Sequence, residues 1–339
     1  MPPSWPPIWL SAPEARNTRQ NPQNLMEETL MKSILMNSGR SFGLAVSLLF
    51  GFIGAALAAD PLVDAAWAKA NAGKPGIVFI DFQPPADFMR GHIAGSVNSN
   101  YGKDGWREEN ANKVPDMLPA KLEVLAEMIG KLGIDNSTHV VLVPPGMSST
   151  DMGIGTRVYW TFKVLGHDNV SLLDGGMAGY AKDKANPLQN GAAKMEPKTF
   201  KISLRKEMIA TADDIKKARA AGVPLIDNRP EDQFVGINRH PKATASGTLE
   251  GAKNLPNGWM TVNGMGEFRK KVQLEQLYKL AGVPTSGEQI NFCNTGHWAS
   301  VGWFVSSELM GNKKAKLYDG SMVEWTIIKA GAVEQKVKI

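Results

Sequence analysis

The chain has 339 residues, 43% hydrophobic and 21% charged, a balance that excludes a disordered or fibrous chain and leaves room for two globular domains. The net charge is +5, with Lys and Arg scattered along the sequence, which suits small anionic partners and does not call for nucleic acid. Five His and a single Cys leave little for a metal site, and no phosphate-binding Gly-rich fingerprint occurs, so neither metal nor cofactor is expected.

Residues 1–30, rich in Pro, Asn and Gln, read as an extension upstream of a chain that starts at Met31 or Met36. Lys32 and Arg40 then precede the apolar run "SFGLAVSLLFGFIGAALA", residues 41–58, which ends in Ala56-Leu57-Ala58. A basic flank, an apolar run and small residues at a cleavage position are the marks of a secretory signal. Residues 1–58 are therefore set aside as extension and signal peptide. The mature chain is expected outside the cytoplasm, in a bacterial periplasm, with no stable membrane association. The alternative is an uncleaved anchor, since ~18 apolar residues can just span a bilayer.

Beyond residue 58 the sequence is written twice. "IVFIDFQPPADF", "RGHIAGSVNSNY", "HVVLVPPG" and "VSLLDGGMAGY" are followed, in order, by "PLIDNRPEDQF", "SGTLEGAKNLP", "QINFCNTG" and "AKLYDGSMVEW". A repeat at roughly 150 residues means two similar domains and not a solenoid. Short β-branched runs alternate with helical patterns such as "KLEVLAEMIGKLGI" and "KVQLEQLYKLAGV", which place apolar residues at i, i+3, i+4 and i+7. Strands alternating with helices predict an α/β fold, each domain a mostly parallel sheet with helices on both faces. The expected domains are 60–185 and 206–336. The polar, aperiodic residues 186–205 between them are the expected linker.

Exported chains usually keep cysteines in pairs. The lone Cys293 therefore needs an explanation. It follows "QINF", read as a buried strand, and precedes "WASVGWFVSSELMG", whose spacing predicts a helix. In parallel α/β sheets ligands bind at the carboxyl ends of strands. Unpaired N–H groups and the dipole at a helix start stabilise a thiolate, and such sites can lower a cysteine pKa to ~3.5–7.5. The placement predicts a reactive nucleophile with a depressed pKa.

The ordered set "GHIAGSVN", "LLDGGMAGY", a Cys-headed loop before a helix, and "LYDGSMVEW" resembles the tandem-domain rhodanese family of sulfurtransferases. The resemblance spans nearly all of residues 60–336. It implies two rhodanese-like domains, the first non-catalytic because Val143-Pro144-Pro145-Gly146 replaces the Cys loop, and the second catalytic. It also implies a Cys293 persulfide that takes sulfur from a small anionic donor such as thiosulfate or 3-mercaptopyruvate and yields it to cyanide or a thiol. The persulfide would be cradled by the loop Cys293-Asn294-Thr295-Gly296-His297-Trp298. A second cysteine nearby would divert that cycle into a disulfide, which accounts for the solitary one. The alternative is a persulfide carrier serving a dedicated partner without free turnover. A cysteine phosphatase is excluded, because position 299 is Ala where an Arg must bind phosphate.

The chain also departs from the family. Asn294 and Thr295 replace the basic or small residues expected after the Cys, and Gln233 stands where the family places an Arg for the donor's anionic group. The expectation is weak thiosulfate affinity, improved by Gln233→Arg. His297 is a candidate to bind the donor or tune the thiolate, titrating near neutrality, and Trp298 is a candidate pocket wall. Arg229 and His92 read as structural. Arg239, His240 and Lys242, in the insertion "GINRHPKATASG", read as a solvated loop or as replacements for the missing Arg.

Overall fold

The computed structural model describes residues 59–337. The extension and the export signal lie outside the described residues. No helix among the described residues is long and apolar enough to cross a membrane.

Each half forms a five-stranded sheet in which every pairing is parallel. The first has the order β1-β5-β4-β2-β3, from β1 (Leu62–Val63), β2 (Ile77–Asp81), β3 (Ser96–Asn98), β4 (His139–Val143) and β5 (Val170–Leu173). The second repeats it as β6-β11-β10-β7-β9, from β6 (Ile209–Ala210), β7 (Leu225–Asp227), β9 (Lys253–Asn254), β10 (Gln289–Phe292) and β11 (Ala315–Tyr318). A separate antiparallel pair joins β8 (Thr248–Leu249) to β12 (Val333–Glu334). The central strands β4 and β10 are buried along almost their whole length, β4 as its β-branched and apolar sequence requires and β10 with Gln289 and Asn291 buried beside Ile290 and Phe292. In both halves the chain order reverses beside this central strand, which puts a crevice at its carboxyl end.

The amphipathic patterns form the expected helices, Leu122–Lys131 and Lys271–Leu280. The longest helix, Ser149–Val164, shows no clear stripe, because nearly all of it is buried. It packs against His297–Phe304, so both halves share one apolar core containing Val158, Tyr159 and Trp160 from one helix and Val301, Trp303 and Phe304 from the other. Tyr159 meets Phe304 edge-on at 4.9 Å. Burying each such side chain stabilises the fold by roughly 1.5–3 kcal/mol. Thr156 and Ser300 share a hydroxyl hydrogen bond of 2.7 Å across the seam.

Two loops complete the union reciprocally. Residues 101–118 of the first half carry a Glu108–Met117 bridge, and residues 257–268 of the second carry a Thr261–Phe268 bridge. The Leu118 N–H donates to Asp319 Oδ2 at 2.7 Å, and the Phe268 N–H donates to Asp174 Oδ1 at 2.9 Å. Asp174 and Asp319 are the repeated Asp of "DGG" and "DGS". Each half thus laces the other's loop to its own sheet.

Residues 186–205 are laid along the first half. The N–H groups of Lys198, Ser203 and Arg205 donate to the carbonyls of Gly130, Leu165 and Val164 at 2.8–2.9 Å. Arg205 also grips Asp168 with two hydrogen bonds, at 2.6 and 2.8 Å. Such scattered partners impose no periodicity on the sequence.

Candidate active site

Cys293 is the first residue past β10 and is 1% exposed. Its loop is pinned from below by Ser321. The Ser321 hydroxyl accepts the Cys293 N–H at 3.0 Å and the Gly296 N–H at 3.2 Å, and donates to the Tyr318 carbonyl at 2.7 Å. Ser321 holds a left-handed backbone, φ 51°, where the first half has Gly176 at φ 58°. A serine in that conformation is strained by about 1 kcal/mol or more, and its three hydrogen bonds offset the strain. Ser321→Ala is therefore expected to cost about 1–3 kcal/mol, because two N–H groups buried under the loop lose their acceptor. Urea unfolding of the two proteins measures it, and a difference below about 0.5 kcal/mol would show that the hydroxyl does not hold the loop.

The loop must also pass close to its neighbours. Gly296 has φ 75°, and a Cβ there would lie 2.8 Å from the Asp319 carbonyl oxygen. Beneath it Arg157, 2% exposed, forms an ion pair with Asp319 and donates to the carbonyls of Thr295 at 3.5 Å and Asp116 at 3.2 Å. The helix Ser149–Val164 thereby carries a cation from the first half under the loop of the second.

The N–H groups of Asn294, Thr295, Trp298 and Ala299 bear on the Cys293 sulfur and favour its thiolate. Burial acts more strongly the other way and pushes the resting thiol above its ordinary pKa. This corrects the expectation from the helix start alone, which counts the dipole and omits desolvation.

Cys293 faces a cleft of about 350 Å³. Asn294, Thr295, His297 and Trp298 line it from the loop, and Tyr101, Arg107, Asp116, Thr150, Asp151 and Ile154 line it from the first half. Two of the residues expected at the donor site lie elsewhere. Gly296 serves the loop backbone, and Gln233 accepts a hydrogen bond from Asn294 Nδ2 at 2.9 Å outside the cleft lining. Of the insertion, only His240 reaches the cleft. Arg239 donates to Ala243 O at 3.1 Å, and Lys242 pairs with Glu109 at 3.2 Å. Arg229 is locked in a buried ion pair with Asp227 at 2.5 Å, and His92 Nδ1 bonds the Phe88 carbonyl at 2.9 Å.

His297 sits in a fixed frame. Its Nε2 lies 2.9 Å from the Thr150 carbonyl, which only accepts, so Nε2 carries the proton and Nδ1 accepts from the Tyr101 hydroxyl at 3.2 Å. Gly153 makes room for the ring, since a Cβ there would stand 2.6 Å from Nε2. Burial pushes the imidazole pKa down to about 4, with Arg107 and Arg157 acting in the same direction and the Thr150 carbonyl opposing. His297 is thus neutral at neutral pH, against the expectation that it titrates there. A base depressed in the fold contributes stability present above pH ~6.5 and lost as pH falls through about 4. Unfolding free energy should therefore fall on acidification through that window, and fall less in His297→Asn. Equal acid slopes in the two proteins would contradict the frame.

Two stretches of the chain, residues 64–183 and 211–327, each match the rhodanese-like domain family. The chain belongs to the rhodanese family. Among relatives, the Mycobacterium bovis protein named "Putative thiosulfate sulfurtransferase 1" is 30% identical over 284 residues, covering 81% of this chain and 98% of its own length. Among solved structures, SseA of Escherichia coli, a 3-mercaptopyruvate sulfurtransferase, superposes with a TM-score of 0.65 at 23% identity, over 78% of this chain and 99% of its own. A persulfide-bearing variant of EanB with ergothioneine gives a TM-score of 0.69 at 18% identity, over 82% of this chain and 71% of its own. The tandem rhodanese architecture expected from the motifs is the one observed, and the chain is a sulfurtransferase by family.

The rhodanese repeat also sets the two loops in register. Met177 and Ala178 N–H groups bond the carbonyls of Pro144 and Pro145, as Met322 and Val323 bond those of Cys293 and Asn294. Pro144 thus stands where the second half has Cys293. The first half supplies no thiol. It supplies the walls Tyr101, Arg107 and Asp116 and, from beneath the loop, the buried Arg157, none of which the sequence repeat singles out.

Proposed function

We propose that the chain transfers a sulfane sulfur from a small anionic donor such as thiosulfate to a thiophilic acceptor such as cyanide or a thiol, through a persulfide on Cys293. The observation that carries this reading is the single thiol at the carboxyl end of the central strand, met by four backbone N–H groups at a cleft. In the first step the Cys293 thiolate attacks the outer sulfur of thiosulfate, the S–S bond breaks, and sulfite leaves with the electron pair. In the second, cyanide attacks the terminal sulfur of the persulfide, and the Cys293 thiolate leaves as thiocyanate forms. The loop N–H groups, fixed by Ser321 before any donor arrives, stabilise the anionic sulfur in both steps. The names of the relatives support the same class of reaction. Intact mass spectrometry after incubation with thiosulfate should show the mass of one added sulfur, removed by cyanide. Uptake of the same sulfur by Cys293→Ser would overturn the assignment.

The apolar run at residues 41–58 supports export of the mature protein to the periplasm. N-terminal sequencing of the native protein should begin near Ala59, and a full-length chain in the membrane fraction would favour the anchor.

A further inference from the structure

The geometry points to Arg107 as the group that holds the anionic end of the sulfur donor, and to its ion pair with Asp116 as the device that makes the cleft favour singly over doubly charged donors. This rests on the sulfur-transfer reading above and names the charge class of its substrate. Among the residues that line the cleft, Arg107 is the one Lys or Arg. It comes from the loop 101–118 of the non-catalytic half, whose position is fixed by the Leu118–Asp319 hydrogen bond and by Arg157 on the Asp116 carbonyl. Its guanidinium lies 4.2 Å from the centroid of the Tyr101 ring, and the Tyr101 hydroxyl reaches His297 of the Cys loop. Stacking fixes the plane of the fork without using its donors. Nη1 pairs with Asp116 Oδ1 at 2.9 Å, and among the described residues no other carboxylate pairs with Arg107. The cation is therefore placed, oriented and only partly spent.

The charges around it set the selectivity. Against the one cation stand two carboxylates, Asp116 and Asp151, the latter accepting the Met147 N–H at 2.9 Å on the same cleft. His240 and His297 add no positive charge near neutrality, since burial lowers both imidazoles. A donor with one negative charge can bind the part of the Arg107 fork that Asp116 leaves free, so that one cation faces it. A second negative charge has no partner in the lining and is repelled by Asp116 and Asp151.

The test compares thiosulfate, a dianion, with the methanethiosulfonate anion, which carries a methyl group in place of one charged oxygen. Both give the same persulfide, releasing sulfite or methanesulfinate with the electron pair of the broken S–S bond. With cyanide as acceptor, Arg107→Gln should raise KM for both donors by about 10–100-fold and leave kcat within a few fold, and Arg107→Lys should recover part of the loss. Asp116→Asn should raise kcat/KM for thiosulfate by about tenfold more than for methanethiosulfonate, a ratio from which the donors' intrinsic reactivities cancel. Sulfate should protect Cys293 from iodoacetamide best in Asp116→Asn and least in Arg107→Gln, a readout independent of turnover. If wild-type protein takes up no sulfur from either donor, the sulfur-transfer reading itself fails. Uptake with unchanged KM values in Arg107→Gln would overturn the role of Arg107, and an equal gain for both donors in Asp116→Asn would overturn the charge selectivity.

Discussion

Cys293→Ala is expected to lower sulfur transfer by at least about 1,000-fold, because the nucleophile itself is removed and no second thiol exists to replace it. The side chain is buried at the edge of the shared core, so its loss leaves a small void and costs about 1 kcal/mol. Activity and stability should therefore separate cleanly. The same residue makes a pH prediction. Burial holds the resting thiol above its ordinary pKa, so the thiolate fraction is small at neutrality and grows about tenfold per pH unit. The rate of iodoacetamide alkylation should keep rising beyond pH ~8.5. A rate that levels off below about pH 7 would mean that the four loop N–H groups outweigh desolvation after all. Transfer activity retained in Cys293→Ala at more than about one per cent of wild type would place the chemistry elsewhere.

Arg157→Met should be the most destabilising single change, at about 3–5 kcal/mol, because it leaves the Asp319 carboxylate buried without its partner. The sign with pH follows from Asp319. Burial raises its pKa and Arg157 opposes that rise. Without Arg157 the carboxyl is pushed further up and takes a proton as pH falls. An acid whose folded pKa is raised contributes stability at low pH that is lost as pH rises through that pKa. The deficit of Arg157→Met should thus shrink between pH 7 and 5, and the double variant Arg157→Met/Asp319→Asn should recover a large part of it at pH 7. Sulfur transfer should fall as well, since Arg157 also supports the Thr295 and Asp116 carbonyls on either side of the cleft. Denaturant unfolding at the two pH values decides the matter. A loss under 1 kcal/mol at pH 7 would show that the pair is not buried in solution.

The sequence by itself determined what depends on neighbours along the chain. The two copies, the alternation of β-branched runs with i, i+3, i+4 patterns, and the seat of Cys293 between "QINF" and a helix are all written in local periodicity and turn residues. The fold class and the tandem architecture follow from them, since such patterns state which backbone groups pair and which faces bury. Only the tertiary structure decided what surrounds the sulfur. The helix Ser149–Val164 is buried along most of its length and so carries no clear stripe to read, yet its packing against His297–Phe304 is what brings Arg157, Thr150 and Asp151 to the loop. Arg107 and Asp116 lie in an irregular loop held by a hydrogen bond to Asp319, about 200 residues away, and by Arg157 on the Asp116 carbonyl. Gln233, legible as the site of a missing Arg, turns instead to Asn294. The charge states of Cys293 and His297 were beyond local reading for the same reason. A helix start and an imidazole have ordinary tendencies, but desolvation is a sum over everything packed around them, and here that sum exceeds the local term at both residues.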